Sequence, residues 1–279
     1  MGTLSSVVDA IHGVLDFGVT HFIALFGGLS PVVSLIAISV ISGVVLVFIY
    51  GKVSFQSKIK NVKRGIHAAL LEVILFRHSP ILSLKAQGRM LGGGLAYLLL
   101  AVPPILILAL PCIFLMAQLQ GWFGYESLKP GSSTIVRVAV PESAALDKVS
   151  LSTDSSVEVV GPLRSLSTHE VLWRVQPTQA GRFPVQVKVA DNVSIPSELV
   201  VGQSFPRIDS LLSSSWADKL LYPPTSRVQM PKSSVERLEV SYPERSFGVA
   251  GFHMHWVVLF LIVSLVGGIV GGRVMKVEL

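Results

Sequence analysis

The sequence predicts an α-helical membrane protein. It has three transmembrane helices, a cytoplasmic helical hairpin between the first two, and an extracytoplasmic all-β, immunoglobulin-like sandwich before the third. Three observations predict it. First, the runs Pro31–Tyr50, Met90–Leu119 and Phe252–Gly272 carry no Asp, Glu, Lys or Arg. Each is long enough to cross a bilayer core, which takes about 20 residues at ~1.5 Å rise. Second, positive charge is concentrated. The 279-residue chain has 23 Lys+Arg against 17 Asp+Glu, and Gly51–Met90 holds eight of the bases and a single acid, Glu72. Third, the long stretch from Leu119 to His253 is charge-neutral and broken into short segments that alternate apolar and polar residues.

The basic segment sets the orientation. Short loops rich in Lys and Arg resist translocation. Gly51–Met90 therefore belongs inside, the N-terminus and the neutral region outside, and the C-terminal tail inside. A mean hydropathy of +0.63 with 14% charged residues excludes a soluble globular domain. The expected location is a bacterial inner membrane with the β-domain in the periplasm. The single cysteine, Cys112, lies in the second run, so no disulfide staples the outer domain.

Residues 1–29 come first. Val7, Val8, Ile11, Val14, Leu15, Phe17 and Val19 recur at roughly helical spacing, interrupted by Asp9, His12 and Asp16. No Lys/Arg cluster opens the chain, which argues against a secretory signal. The spacing predicts an amphipathic helix on the outer membrane surface; the alternative is a signal-anchor preamble without fixed structure. Residues 30–51 form the first span. In residues 52–90, Ile59, Val62, Ile66, Ala69, Val73 and Phe76 step by 3 and 4, as do Ile81, Leu84, Gly88, Leu91 and Leu95. Ser79-Pro80 separates the two series, since proline removes a donor and restricts its predecessor. This predicts an antiparallel hairpin turning at Arg77–Pro80. The competing reading is one amphipathic helix on the inner leaflet, where each basic residue contributes about 1 kcal/mol.

Residues 91–119 form the second span. As a helix the uncharged thirty-residue run reaches about 45 Å, more than one bilayer core. With Pro103, Pro104 and Pro111 inside it, the span either kinks or begins as an interfacial helix, and it packs against neighbours that satisfy the freed carbonyls. Residues 120–204 form the sandwich, with strands at Thr134–Val140, Val149–Ser152, Val157–Val160, Val171–Val175, Phe183–Val189 and Leu199–Val201. Ala180-Gly181-Arg182-Phe183 resembles the late hairpins of immunoglobulin-like domains, a likeness of fold alone. Residues 205–250 read as a linker. In it Ile208, Leu211, Leu212, Trp216, Leu220 and Leu221 predict an amphipathic helix stopped by Pro223-Pro224, and Leu238–Tyr242 predicts an edge strand. Residues 251–272 form the third span and 273–279 a cytoplasmic tail. Two overlapping small-xxx-small pairs, Gly267/Gly271 and Gly268/Gly272, predict a helix-packing face through which the chain forms homo- or hetero-oligomers.

No phosphate loop, metal-ligand spacing or nucleophile elbow occurs, so neither enzyme chemistry, cofactor nor metal is expected. His253, His255 and Trp256 read as interface anchors. The spans carry no ionisable group of the kind that marks pumps and carriers.

The order of parts carries a resemblance. An outer amphipathic helix precedes a span, then a basic hairpin (Gly51-Lys52, then Lys58-Ile59-Lys60-Asn61-Val62-Lys63-Arg64), then a proline-containing span (Pro103-Pro104, then Pro111-Cys112-Ile113-Phe114-Leu115-Met116), and another span follows later. This resembles the YidC/Oxa superfamily of membrane-protein insertases, above all its three-span members. The likeness runs from Ser5 to Gln118 and includes the third span. It implies a non-enzymatic insertase-like chaperone or assembly factor. In it Ser39, Ser42, Tyr97 and Ser264 would line a shallow client groove. Lys58, Lys60, Lys63 and Arg64 would meet a ribosome, a nascent chain or anionic lipid. The second reading is a membrane scaffold or complex subunit, whose sandwich binds a periplasmic partner protein and whose spans only anchor it.

Overall fold

The computed structural model describes residues 2–25, 30–76, 78–189, 193–224, 230, 235–249 and 251–277. It divides into two compact units. One comprises Met1–Val32 with Ile113–Trp256, the other Val33–Cys112 with Val257–Leu279. Six helices are described: α1 (Gly2–Leu25), α2 (Pro31–Val53), α3 (Gln56–Leu75), α4 (Pro80–Phe123), α5 (Trp216–Leu221) and α6 (Trp256–Met275). Of these, α2, α4 and α6 are long and apolar enough to cross a membrane.

The helical unit packs small residues inward and large aliphatics outward. On α2 and α6, Gly43 lies against the Ser264 carbonyl, so closely that an added Cβ would overlap it. Gly267 packs on the Val40 backbone, Gly268 on Val47 and Gly43, and Gly271 on Val44. Phe48, Val45, Leu261 and Leu265 are exposed. Helices in lipid associate this way, because burying leucine against protein gains little over burying it in acyl chains, while close backbone approach gains contact.

Proline at the first position of α4 needs no amide partner there and carries the preset φ of a helix. From it α4 runs without a break for 44 residues, through all three internal prolines. Its N-terminal half lies antiparallel to α3. Lys63 sits over the Tyr97 ring, a Cβ on Gly93 would meet Ile66 at 2.8 Å, and Glu72 pairs with Arg89. The turn predicted at Arg77 lies partly outside the described residues. The face of α4 differs from the expected one. Ala86, Arg89, Gly93 and Tyr97 meet α3, whereas Ile81, Leu84, Leu91 and Leu95 are exposed. The stepping by 3 and 4 was real, but small residues, not large ones, permit the close contact.

In the other unit ten strands form three sheets: β1 (Thr134–Ala139), β2 (Val149–Thr153), β3 (Val157–Ser165), β4 (Glu170–Pro177), β5 (Gly181–Val189), β6 (Val193–Val201), β7 (Leu211–Ser213), β8 (Arg237–Val240), β9 (Ser246–Val249) and β10 (Phe252–His255). A five-stranded sheet has the order β3-β4-β1-β8-β7, a three-stranded sheet β2-β5-β6, and β9 pairs with β10. The period-2 pattern places Val136 and Val138, Val171, Trp173 and Val175, and Val185, Val187 and Val189 inward, where the two larger sheets share one apolar core. Gly202 ends β6 at φ +67°, and its amide donates to the Leu128 carbonyl. A Cβ there would meet that of Ala180 at 2.6 Å, so only glycine closes this corner.

Four expectations are corrected. Residues 205–250 are not merely a linker, since β7 and β8 complete the five-stranded sheet. The amphipathic helix foreseen from Ile208 is helical only over Trp216–Leu221, because Leu211 and Leu212 are drawn into pairing with β8. Residues 237–240 form an interior strand between β1 and β7, not an edge. Finally, Phe252–His255 pairs in register with β9, so the third apolar helix starts at Trp256.

Candidate functional site

The helical unit carries an apolar groove along α2 and α6. Its volume is about 500 Å³, and Val40, Val44, Ile262, Val263, Val266, Gly267, Val270, Gly271, Val274 and Met275 line it. Glycines form part of its lining and β-branched residues much of the rest, so its shape is stiff.

The serines expected to line a groove lie elsewhere. Ser39 is fully buried and donates to the Leu35 carbonyl at 2.6 Å; Ser264 donates to the Leu261 carbonyl at 3.1 Å. Such bonds to the residue's own helix satisfy the hydroxyl locally. Ser42 is half-buried, and Tyr97 faces α3, where its ring takes the Lys63 ammonium at 5.6 Å. Of the basic group, Lys58, Lys60 and Arg64 are exposed and Lys63 half-buried; the Lys58 ammonium lies 5.1 Å from the Phe55 ring. Gly267, Gly268 and Gly271 pack on α2 of the same chain, and Gly272 is buried. The glycine face thus has an intrachain partner, and a contact with another copy would use a different surface.

The hairpin of α3 and α4 leaves much apolar surface open. Leu71, Ile74, Leu75, Ile81 and Leu84, at the turn end of the hairpin, are each more than three-fifths exposed, while the bases of α3 lie toward its other end.

A second constellation escaped the sequence reading. In the β-containing unit, α1 turns one face inward, His12, Asp16, Val19 and Ile23 at one residue per turn, and His12 meets Phe114 and Gln118 at the end of α4. His12 and Gln118 are buried, with Gln118 Nε2 3.0 Å from His12 Nδ1 and 3.2 Å from the His12 carbonyl. Arg207, only 8% exposed, pairs with Asp16. It also donates to the Pro223 carbonyl at 3.2 Å and to Gln118 Oε1 at 3.4 Å, with Asp209 at 3.9 Å. Burial lowers the pKa of this guanidinium, and the Asp209 charge offsets part of the shift. The interruptions in the apolar pattern of α1, His12 and Asp16, were the available signal. Their partners lie about a hundred and two hundred residues away, beyond any local pattern.

Below this cluster Phe123 and Phe247 are fully buried, Phe205 stacks against Phe123, and Arg245 covers the Phe205 ring at 5.3 Å while donating to the Tyr125 carbonyl. This collar seats β9 on the end of α4. His253 and His255 share one face of β10; among the described residues no three His, Cys, Asp or Glu side chains converge as a metal site would need.

Comparison with protein-family models, curated proteins and solved structures finds no match to this chain.

Proposed function

We propose that this chain is a non-enzymatic, insertase-like chaperone or assembly factor for membrane proteins. The groove along α2 and α6 is the observation that carries the reading. A wholly apolar, stiff trough between two helices fit to span a bilayer suits the flank of an apolar client helix. The hairpin adds a second surface, with exposed aliphatics at its turn end, suited to an emerging apolar segment, and Lys58, Lys60, Lys63 and Arg64 toward its other end, suited to anionic partners such as a ribosome or lipid headgroups. The groove residues of this proposal are Val44, Val266 and Val270, in place of Ser39, Ser42, Tyr97 and Ser264.

A scaffold reading has its own support. The orders β3-β4-β1 in one sheet and β2-β5-β6 in the other suit an immunoglobulin-like sandwich, a fold common in binding domains, with β8 and β7 extending the first sheet beyond β1. The outward face of its five-stranded sheet exposes Val160 and Leu163 on β3. Photo-crosslinkers at Val44, Val266 and Val270, with Ser39 as a buried reference, separate the two. Capture of many unrelated nascent membrane proteins supports the insertase reading. Capture of one constant partner favours the scaffold, and capture of lipid alone removes the client groove.

A further inference from the structure

We propose that α1 is embedded in hydrocarbon, its apolar face against the acyl chains of the leaflet nearest the β-domain and its polar stripe locked onto protein. The helix is inside-out for water. Its packed face carries His12 and Asp16, held by Gln118 and Arg207. Its open face carries Ile11, Val14, Phe17 and Leu25, with Val14 74% and Phe17 66% exposed. Between Ala10 and Leu25 the only exposed titratable side chain is His21, and its ring lies on Phe17 with Nδ1 2.8 Å from the Phe17 carbonyl.

Two further observations select acyl chains over headgroups. A helix that lies among anionic headgroups presents Lys and Arg on its polar face, and no Lys or Arg precedes Lys52 in this chain. The place where α1 docks, Phe114 to Gln118, lies within the uncharged Met90–Leu119 run of α4. The open face of α1 is therefore carried at a level where α4 itself is built for lipid. Between Ala10 and Leu25, the two polar groups most costly to immerse, His12 and Asp16, are held by Gln118 and Arg207. The inference rests on the membrane placement of α4 and is independent of the client groove.

The test uses the full-length protein in liposomes of mixed zwitterionic and anionic phospholipid. Cys112 is replaced by Ser, and single nitroxides are placed at Val14→Cys, Phe17→Cys, Val102→Cys on α4 and Ser152→Cys on β2. All four sites are exposed, and the one ring contact given up is that of Phe17 with His21. The expected result is that Val14 and Phe17 behave like Val102, with oxygen collisions severalfold above those of a water-soluble nickel chelate, and that Ser152 shows the reverse. Nickel access at Val14 and Phe17 equal to that at Ser152 would overturn the proposal. So would exclusion of both reagents with spin coupling between copies, which would assign the face to a second copy of the chain. Nickel access at Val102 would remove the span placement itself, and the proposal with it.

Discussion

Tyr242 shows how one side chain joins the two larger sheets. It is buried beside the shared core, its hydroxyl accepts from the Val200 amide at 3.1 Å, and it donates to the Glu198 carbonyl at 3.2 Å. Both partners belong to β6, whereas Tyr242 follows β8. Tyr242→Phe keeps the ring but leaves a buried amide and carbonyl unpaired, a cost of about 1–3 kcal/mol. Burial also pushes the Tyr242 hydroxyl well above the ordinary tyrosine range, with the Val200 amide opposing in part. The sign follows from linkage. The unfolded tyrosine ionises near ~10 while the folded one keeps its proton. This contribution is therefore complete below about pH 10 and is lost as pH rises further, at up to ~1.4 kcal/mol per pH unit. Thermal unfolding of the purified protein from pH 8 upward should show a steeper alkaline loss for the wild type than for Tyr242→Phe. Parallel curves would mean that Tyr242 is ionised or exposed in the folded state.

At the scale of elements, the contact of α2 with α6 is governed by what is missing from Gly43. A methyl group there overlaps the Ser264 backbone, and backbone cannot rotate aside as a side chain can. Gly43→Ala should cost about 1–3 kcal/mol of overpacking. Gly92→Ala, where nothing lies within 4 Å, should instead raise stability by about 0.5–1 kcal/mol, as glycine is the poorer helix former. Unfolding of both variants in detergent checks the pair; equal effects would show that α2 and α6 do not pack through Gly43. Elements of this kind divide sharply in how legible they were. Strands β1, β4 and β5 were plain because alternate valines face one core. The stretches of α2 and α6 were plain because no charge interrupts them. The edge strand β7 was hidden, since Leu211 and Leu212 fit a helical face equally well and only pairing with β8 decides. Strand β10 was hidden because Phe252–His255 is uncharged and merges with the run after it. The apolar trough between Val44 and Val270 was not legible, because polarity such as that of Ser39 and Ser42 is visible in a sequence whereas a trough exists only once the helices have packed.

At the scale of the whole chain, α2, α4 and α6 leave many large aliphatics exposed, among them Val45, Leu98, Leu106, Leu261 and Leu265, and the seam of α2 with α6 closes through glycines. The sheets show the contrary pattern, with valines inside and Arg174, Lys188 and Arg182 exposed. This contrast is the one expected if α2, α4 and α6, long and apolar enough to cross a membrane, meet lipid and the sheets meet water. Charge then assigns the sides. Short loops rich in Lys and Arg resist translocation, so the eight bases of Gly51–Met90 predict that this segment stays on the side of synthesis and that the neutral segment from Leu119 to His253 crosses. In intact cells, with Cys112→Ser as background, Ser152→Cys should react with a membrane-impermeant maleimide, and Lys60→Cys should react only after the cells are opened. Replacing Lys58, Lys60, Lys63 and Arg64 together by Glu removes the excess of that loop and should make part of the population expose Lys85→Cys to the outside reagent. If Lys60→Cys is labelled in intact wild-type-like cells, the basic hairpin lies outside. A client arriving from the ribosome could then not meet it, and the scaffold reading would stand in place of the insertase.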